Sequence, residues 1–115
     1  MRFFTKDELK CPCCGLYKIE NKLINRLERL RFKMGRPLKI NSAMRCDEHN
    51  YNVGGARQSQ HLLGLAADVS MLGMTAEQKY KMVEWAVLLG FKGIGISDSY
   101  IHVDMREGER CLWVY

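Results

Sequence analysis

Two short segments far apart in this chain restrict its fold more than anything else in it: residues 59–68, Ser-Gln-His-Leu-Leu-Gly-Leu-Ala-Ala-Asp, and residues 101–104, Ile-His-Val-Asp. A fold that uses their polar side chains together must lay one segment beside the other. Residues 65–69 are apolar except for Asp68 and read as a short buried strand, with His61 at its mouth and Asp68 inside it. Residues 100–105 alternate polar and apolar. In a strand, positions two apart point the same way, so His102 and Asp104 share one face while Ile101 and Val103 share the other. Two imidazoles and a carboxylate suit a four-coordinate zinc whose last position stays open to water, and an open position means chemistry.

The rest of the pattern supplies a scaffold. Ile19, Leu23, Leu27, Leu30 and Met34 recur at helical steps, which predicts an amphipathic helix over residues 18–34, stopped by Gly35 and Pro37 and laid on a sheet. Residues 37–43 alternate as a strand, and Asn52-Val53-Gly54-Gly55-Ala56 reads as a flexible loop that a substrate backbone can approach closely. Thr75 and Gln78 form a capping-box pattern for a second helix running to Leu89, with Met82, Val83, Ala86 and Val87 as its core stripe and Gly90 placed to end it. Three strands follow, over residues 92–97, 100–105 and 111–115. The class is therefore α+β, a small antiparallel sheet with helices packed on it.

At 115 residues and 47% hydrophobic, residues 1–115 are expected to form one domain around one core. No repeats or linkers interrupt it, and a monomer is expected. No segment approaches the roughly 20 apolar residues of a membrane helix, and residues 1–7 lack a secretory signal pattern. Synthesis in the cytoplasm and no membrane insertion are the expectations.

The chemistry-bearing segments resemble a known family. The pattern Ser-x-His-x-x-Gly-x-Ala-x-Asp over residues 59–68, followed by the late His102, is similar to that of the zinc peptidases of the D-alanyl-D-alanine carboxypeptidase group. That group includes phage L-alanyl-D-glutamate endolysins and murein endopeptidases and shares a fold with the Hedgehog signalling domain. Ser42-Ala43-Met44-Arg45 resembles the strand and arginine before its metal site, residues 50–56 its Asn-x-x-Val-Gly-Gly-Ala loop, and residues 102–106 its His-x-Asp-x-Arg ending. The resemblance thus covers nearly the whole chain and implies a Hedgehog/DD-peptidase-like domain.

From the resemblance, His61, Asp68 and His102 are the implied zinc ligands, and Arg45 the implied cation that polarises the scissile carbonyl and steadies its oxyanion. A surface charge is the default for an arginine, but the place of Arg45 after an apolar strand raises it above that. Several relatives carry an acid three residues before the second histidine. Here that residue is Ser99, which is no base at neutral pH. Asp104 is the favoured general base because strand alternation aims it with His102; Asp98, in a turn, is the alternative. Asp104 also fits a different role, as the carboxylate that orients an imidazole ligand.

The implied activity is metallopeptidase hydrolysis of peptidoglycan stem peptides, as carboxypeptidase or endopeptidase, with Arg57 a candidate grip for a terminal carboxylate. By analogy, a wall hydrolase without an export signal resembles a phage lysis enzyme, made inside the cell and acting on the wall after release. A non-catalytic zinc-stabilised binding module on the same fold is the alternative, and the missing acid at Ser99 speaks for it. The net charge of +5 and pI near 9.0 suit attraction to an anionic wall. The same charge is also met by a solvated helix face carrying Lys18, Lys22, Arg26, Arg29 and Lys33. Nucleic acid is not expected, because no basic run is interleaved with aromatics.

Five cysteines in a reducing compartment point to metal rather than disulfides. Cys11 and Cys14, joined by Cys46 and His49 from a Cys-x-x-His pair, would make a closed structural zinc site, with Cys13 competing for the place of Cys14. The alternative is that these small side chains merely fill space and that His49 lies at the surface. Cys111 reads as a plain strand residue.

Overall fold

Antiparallel pairing of the two chemistry-bearing segments forms the middle of the sheet in the computed structural model, which describes residues 1–115. In chain order the elements are α1 (Lys6–Leu9), α2 (Asn21–Met34), β1 (Ile40–Ser42), α3 (Asp47–Asn52), a 3₁₀ turn (Gln60–Leu63), β2 (Ala66–Ser70), α4 (Ala76–Leu88), β3 (Gly93–Ile96), β4 (Tyr100–Asp104) and β5 (Cys111–Val114). The sheet order is β1-β2-β4-β3-β5. The class is α+β, as the patterning implies.

One strand departs from the expected antiparallel sheet. β5 pairs parallel to β3. Successive strands reverse direction, and the far edge of β4 is already taken by β2. The chain after β4 adds at the free edge of β3, where its direction matches that of β3.

Leu23, Leu27 and Leu30 of α2 and Met82 and Ala86 of α4 are buried, and they join Val69, Ile94, Ile101 and Val103 of the sheet in one core cluster. Each such leucine contributes about 1.5–3 kcal/mol by leaving water. α2 begins later than its periodicity predicts, because the backbone is still extended at the N-cap Glu20, whose N–H donates to the Gly64 carbonyl at 3.0 Å. Gly35, at φ 67°, ends it. α4 starts at the Thr75–Gln78 capping box, as expected.

β1 is shorter than the residues 37–43 that alternate. It carries a bulge, and the backbone beyond it is spent on other elements: the Met44 N–H donates to Leu9 at 3.0 Å and the Arg45 N–H to His61 at 3.2 Å. These bonds tie α1 and the 3₁₀ turn to the end of β1. No helix is long and apolar enough to cross a membrane.

Candidate metal centre

The register of β2 against β4 sets Asp68 directly across from His102. Their faces point away from the core that Ile101 and Val103 enter. His61 arrives from the 3₁₀ turn, in which its own N–H donates to the Ser59 hydroxyl at 3.2 Å and which ends at Gly64, at φ 71°. A side chain at position 64 would run into the Lys18 carbonyl, so only glycine lets the turn pack there.

Asp68 Oδ1 is 3.3 Å from His61 Nε2 and 3.0 Å from His102 Nδ1. The other nitrogen of each ring is engaged behind: His61 Nδ1–H donates to the Ala43 carbonyl at 2.7 Å, and His102 Nε2–H donates to Asp104 Oδ2 at 2.7 Å. The nitrogen left facing Asp68 donates to it when the ring is protonated and offers a lone pair to a metal when the ring is neutral. Burial opposes ionisation of Asp68, but the hydrogen bonds from His102 and His61 outweigh it and hold its carboxyl well below the usual carboxylate range. For His102, burial disfavours the charged ring, yet its bonds to Asp104 and Asp68 prevail and push its pKa up.

Asp104 does not stand where the expected general base should. Its side chain is fully buried behind His102 and does not line the cleft. Besides the His102 ring, Oδ1 accepts from the Arg106 backbone N–H at 3.1 Å and from Nε at 3.0 Å, and Oδ2 accepts from Arg106 Nη2 at 2.7 Å. Burial would raise its pKa, but these partners hold it well below the ordinary range. A carboxylate so placed meets the cleft only through the His102 ring and the Arg106 guanidinium. The alternative, Asp98, is exposed and also lies outside the cleft lining, as do Ser99 and Arg57.

The three groups open onto a cleft of about 510 Å³. Arg45 stands at its edge with Nη2 3.3 Å from Asp68 Oδ2, while Ser42 Oγ accepts from Nε at 3.0 Å and Asn50 Oδ1 from Nη1 at 3.1 Å. Asn50 is in turn fixed by donating to the Ala56 carbonyl at 2.9 Å, which anchors the glycine loop as one wall. The opposite wall is aromatic. Trp113 lies 5.1 Å from the His102 ring centroid with Arg106 stacked on it, and Tyr100 and Tyr115 sit 5.2 Å apart. Burial, then the neighbouring Tyr115, pushes the Tyr100 phenol up to about 12, so it keeps its proton at neutral pH.

Sequence reasoning did not assign Tyr100, Trp113 or Tyr115 to the site. The signal was the alternation of residues 111–115, which puts Trp113 and Tyr115 on one face, but only the pairing with β3 shows that this face meets the cleft.

A family model described as Peptidase M15 matches residues 3–104, a span that contains His61, Asp68 and His102. The chain belongs to the peptidase M15 family. M15 peptidases use zinc, and membership makes a metallopeptidase of this chain. The comparison with curated proteins returns no match.

The donor set of this M15 chain fits that metal. Nitrogen and oxygen ligands about 2.0–2.1 Å from a tetrahedral zinc lie about 3.3 Å apart. The observed 3.0 and 3.3 Å separations around Asp68 Oδ1 are close to that edge. Each imidazole also has the carbonyl or carboxylate behind it that metal-bound histidines ordinarily use.

A second cluster in this M15 chain differs from the one expected. Cys11, Cys13, Cys14 and Cys46 bring their sulfurs within 4.8 Å of one another. His49 is not among them; it contributes its backbone N–H, donated to Cys46 Sγ at 3.4 Å, because the first turn of α3 points that amide rather than the ring at the sulfur. Cys13 and Cys14 are both present in place of one or the other.

Proposed function

We propose that this M15 peptidase hydrolyses peptide bonds in peptidoglycan stem peptides, with zinc held by His61, Asp68 and His102, as a cell-wall lysis enzyme of the endolysin kind acting on the wall after release. The observation that carries this reading is the convergence of two imidazole nitrogens on one oxygen of Asp68, beside Arg45 and open to a cleft. Bound zinc supplies Lewis acidity there, polarising a carbonyl and making hydroxide available near neutral pH.

The chain's own residues do the rest. Asp104 acts as a positioning residue that fixes the His102 tautomer and ring angle. The Arg45 guanidinium, held by Ser42, Asn50 and Asp68, aims a fixed positive charge at the oxyanion of the tetrahedral intermediate. Apart from Asp68, no carboxylate lines the cleft, so the proton of the attacking water passes to solvent, and the leaving amine takes its proton from solvent in turn. The glycine loop admits an extended peptide backbone, and the Trp113–Tyr115 wall gives it an apolar surface to lie on.

Digestion of purified sacculi, with and without a chelator and followed by mass analysis of released fragments, tests this. Zinc-dependent release of stem-peptide fragments is expected. A folded, zinc-loaded protein that binds sacculi and releases nothing would support the second reading, a zinc-stabilised binding module, which the absence of another carboxylate in the cleft and the serine at position 99 favour.

A further inference from the structure

We propose that Cys11, Cys13, Cys14 and Cys46 form a second zinc site, closed and structural, which clamps the N-terminal turn to the segment that carries Arg45. The sulfur separations are 3.5 Å for Cys11–Cys13, 3.7 Å for Cys11–Cys46 and 3.3 Å for Cys13–Cys46. Four thiolates about 2.3 Å from a zinc sit at the corners of a tetrahedron with edges of about 3.8 Å. A disulfide would need about 2.05 Å, which none of these three separations approaches. All of these cysteines are free. Near-equal spacing among several sulfurs is the arrangement a soft divalent ion requires, and an all-sulfur set selects zinc over calcium or magnesium.

The backbone is shaped for the task. The Cys11 N–H and carbonyl bond Leu16 and Gly15, each at 2.8 Å, and Gly15 takes φ 77°, so the chain folds back and turns three sulfurs to one side. Cys46 closes the group from a distant part of the sequence. Two amides donate to sulfur, Cys46 N–H to Cys11 and His49 N–H to Cys46, each at 3.4 Å, and so hold these two sulfurs in place. Cys11 is fully buried while Cys13 and Cys14 are exposed, which leaves a path for the ion to enter. On binding, each thiol releases its proton to solvent and no electron changes hands. With four protein ligands no position stays open, so this site holds structure and does no chemistry.

The location gives the clamp a consequence. Cys46 follows Arg45 directly, and the Arg45 N–H is bonded to the His61 carbonyl. Fixing Cys46 therefore fixes the backbone between the oxyanion cation and the turn that presents His61. The two sites share no ligand, so either can fail without the other.

Zinc content of the full chain, purified under reductant, is expected to be two ions per molecule, falling to one in His61→Ala. Cobalt(II) loaded into His61→Ala should show the intense thiolate-to-cobalt charge-transfer band and the visible bands of a tetrahedral centre. The double variant Cys13→Ser/Cys14→Ser should lose that band and one zinc, while Cys111→Ser keeps both. Because His61→Ala leaves every cysteine in place, its spectrum decides the matter even if the serine variant does not fold. A folded His61→Ala that binds no cobalt, or binds it without the thiolate band, would overturn the proposal.

Discussion

At the scale of single residues, the hydrogen-bond partner behind a ligand settles what the ligand can do. His102 reaches toward Asp68 through Nδ1 only because Asp104 holds Nε2–H at 2.7 Å. Replacing Asp104 with Ala is expected to lower zinc affinity by about 10–100-fold, measured by competition with a chromophoric chelator. The same change strands the Arg106 guanidinium, which is only partly exposed, so a stability loss toward the lower end of about 3–5 kcal/mol should appear in denaturant unfolding. Unchanged affinity with turnover abolished would instead return Asp104 to the role of proton acceptor. Arg45 makes the opposite prediction. Arg45→Ala should keep zinc bound and lose about 10²–10³ in kcat on a stem-peptide substrate, the cost of one oxyanion donor. His61, Asp68 and His102 were legible as a set through the resemblance of their segments to a family motif; strand patterning fixed the direction of Asp68 and His102, while His61 lies in a turn too short to show one. Alternation correctly placed Asp104 on the face of His102. It gave no sign of depth along that face, and depth is what separates a base in the cleft from a buried partner of a ring.

At the scale of elements, β3 makes the room that the site needs. A side chain at Gly93 would overlap the Asp104 carboxylate, and one at Gly95 would overlap the Trp113 indole. Both glycines lie on the same face of the strand, across from Asp104 and His102 in the register with β4. Gly95→Val should therefore expel Trp113 from its place against His102, costing about 1–3 kcal/mol by overpacking and changing tryptophan emission. An unshifted spectrum and unfolding midpoint in that variant would show that β5 is not seated by β3. The long helices could be read from periodicity, since α2 buries Leu23, Leu27 and Leu30 and α4 buries Met82 and Ala86, although Val87, expected in the same stripe, is exposed. α1, α3 and the 3₁₀ turn could not, because four to six residues are too few to show a period. The parallel placement of β5 was equally hidden: local alternation defines a strand but carries no information about which edge of the sheet is vacant.

At the scale of the whole molecule, the surplus of cations should act on encounter rather than on chemistry. The chain carries +5 at neutral pH, while its cleft holds Arg45 and Arg106 against Asp68 and the buried Asp104, so the excess lies elsewhere on the surface. Attraction between a basic hydrolase and an anionic wall acts over a distance set by salt, with a Debye length of about 8 Å at physiological ionic strength and about 3 Å at 1 M. Attack on a small soluble stem peptide has no such long-range component, and within the cleft the charges are close and partly buried, where salt screens little. Raising ionic strength from about 0.1 M to about 1 M should thus slow release of fragments from intact sacculi several-fold while leaving kcat/KM on an uncharged soluble peptide nearly constant. Comparison of the two substrates in one salt series separates steering from catalysis. Parallel loss on both would locate the salt effect in the metal centre or in Arg45. No loss on either would assign the extra lysines and arginines to solubility and leave the cleft as the whole basis of recognition.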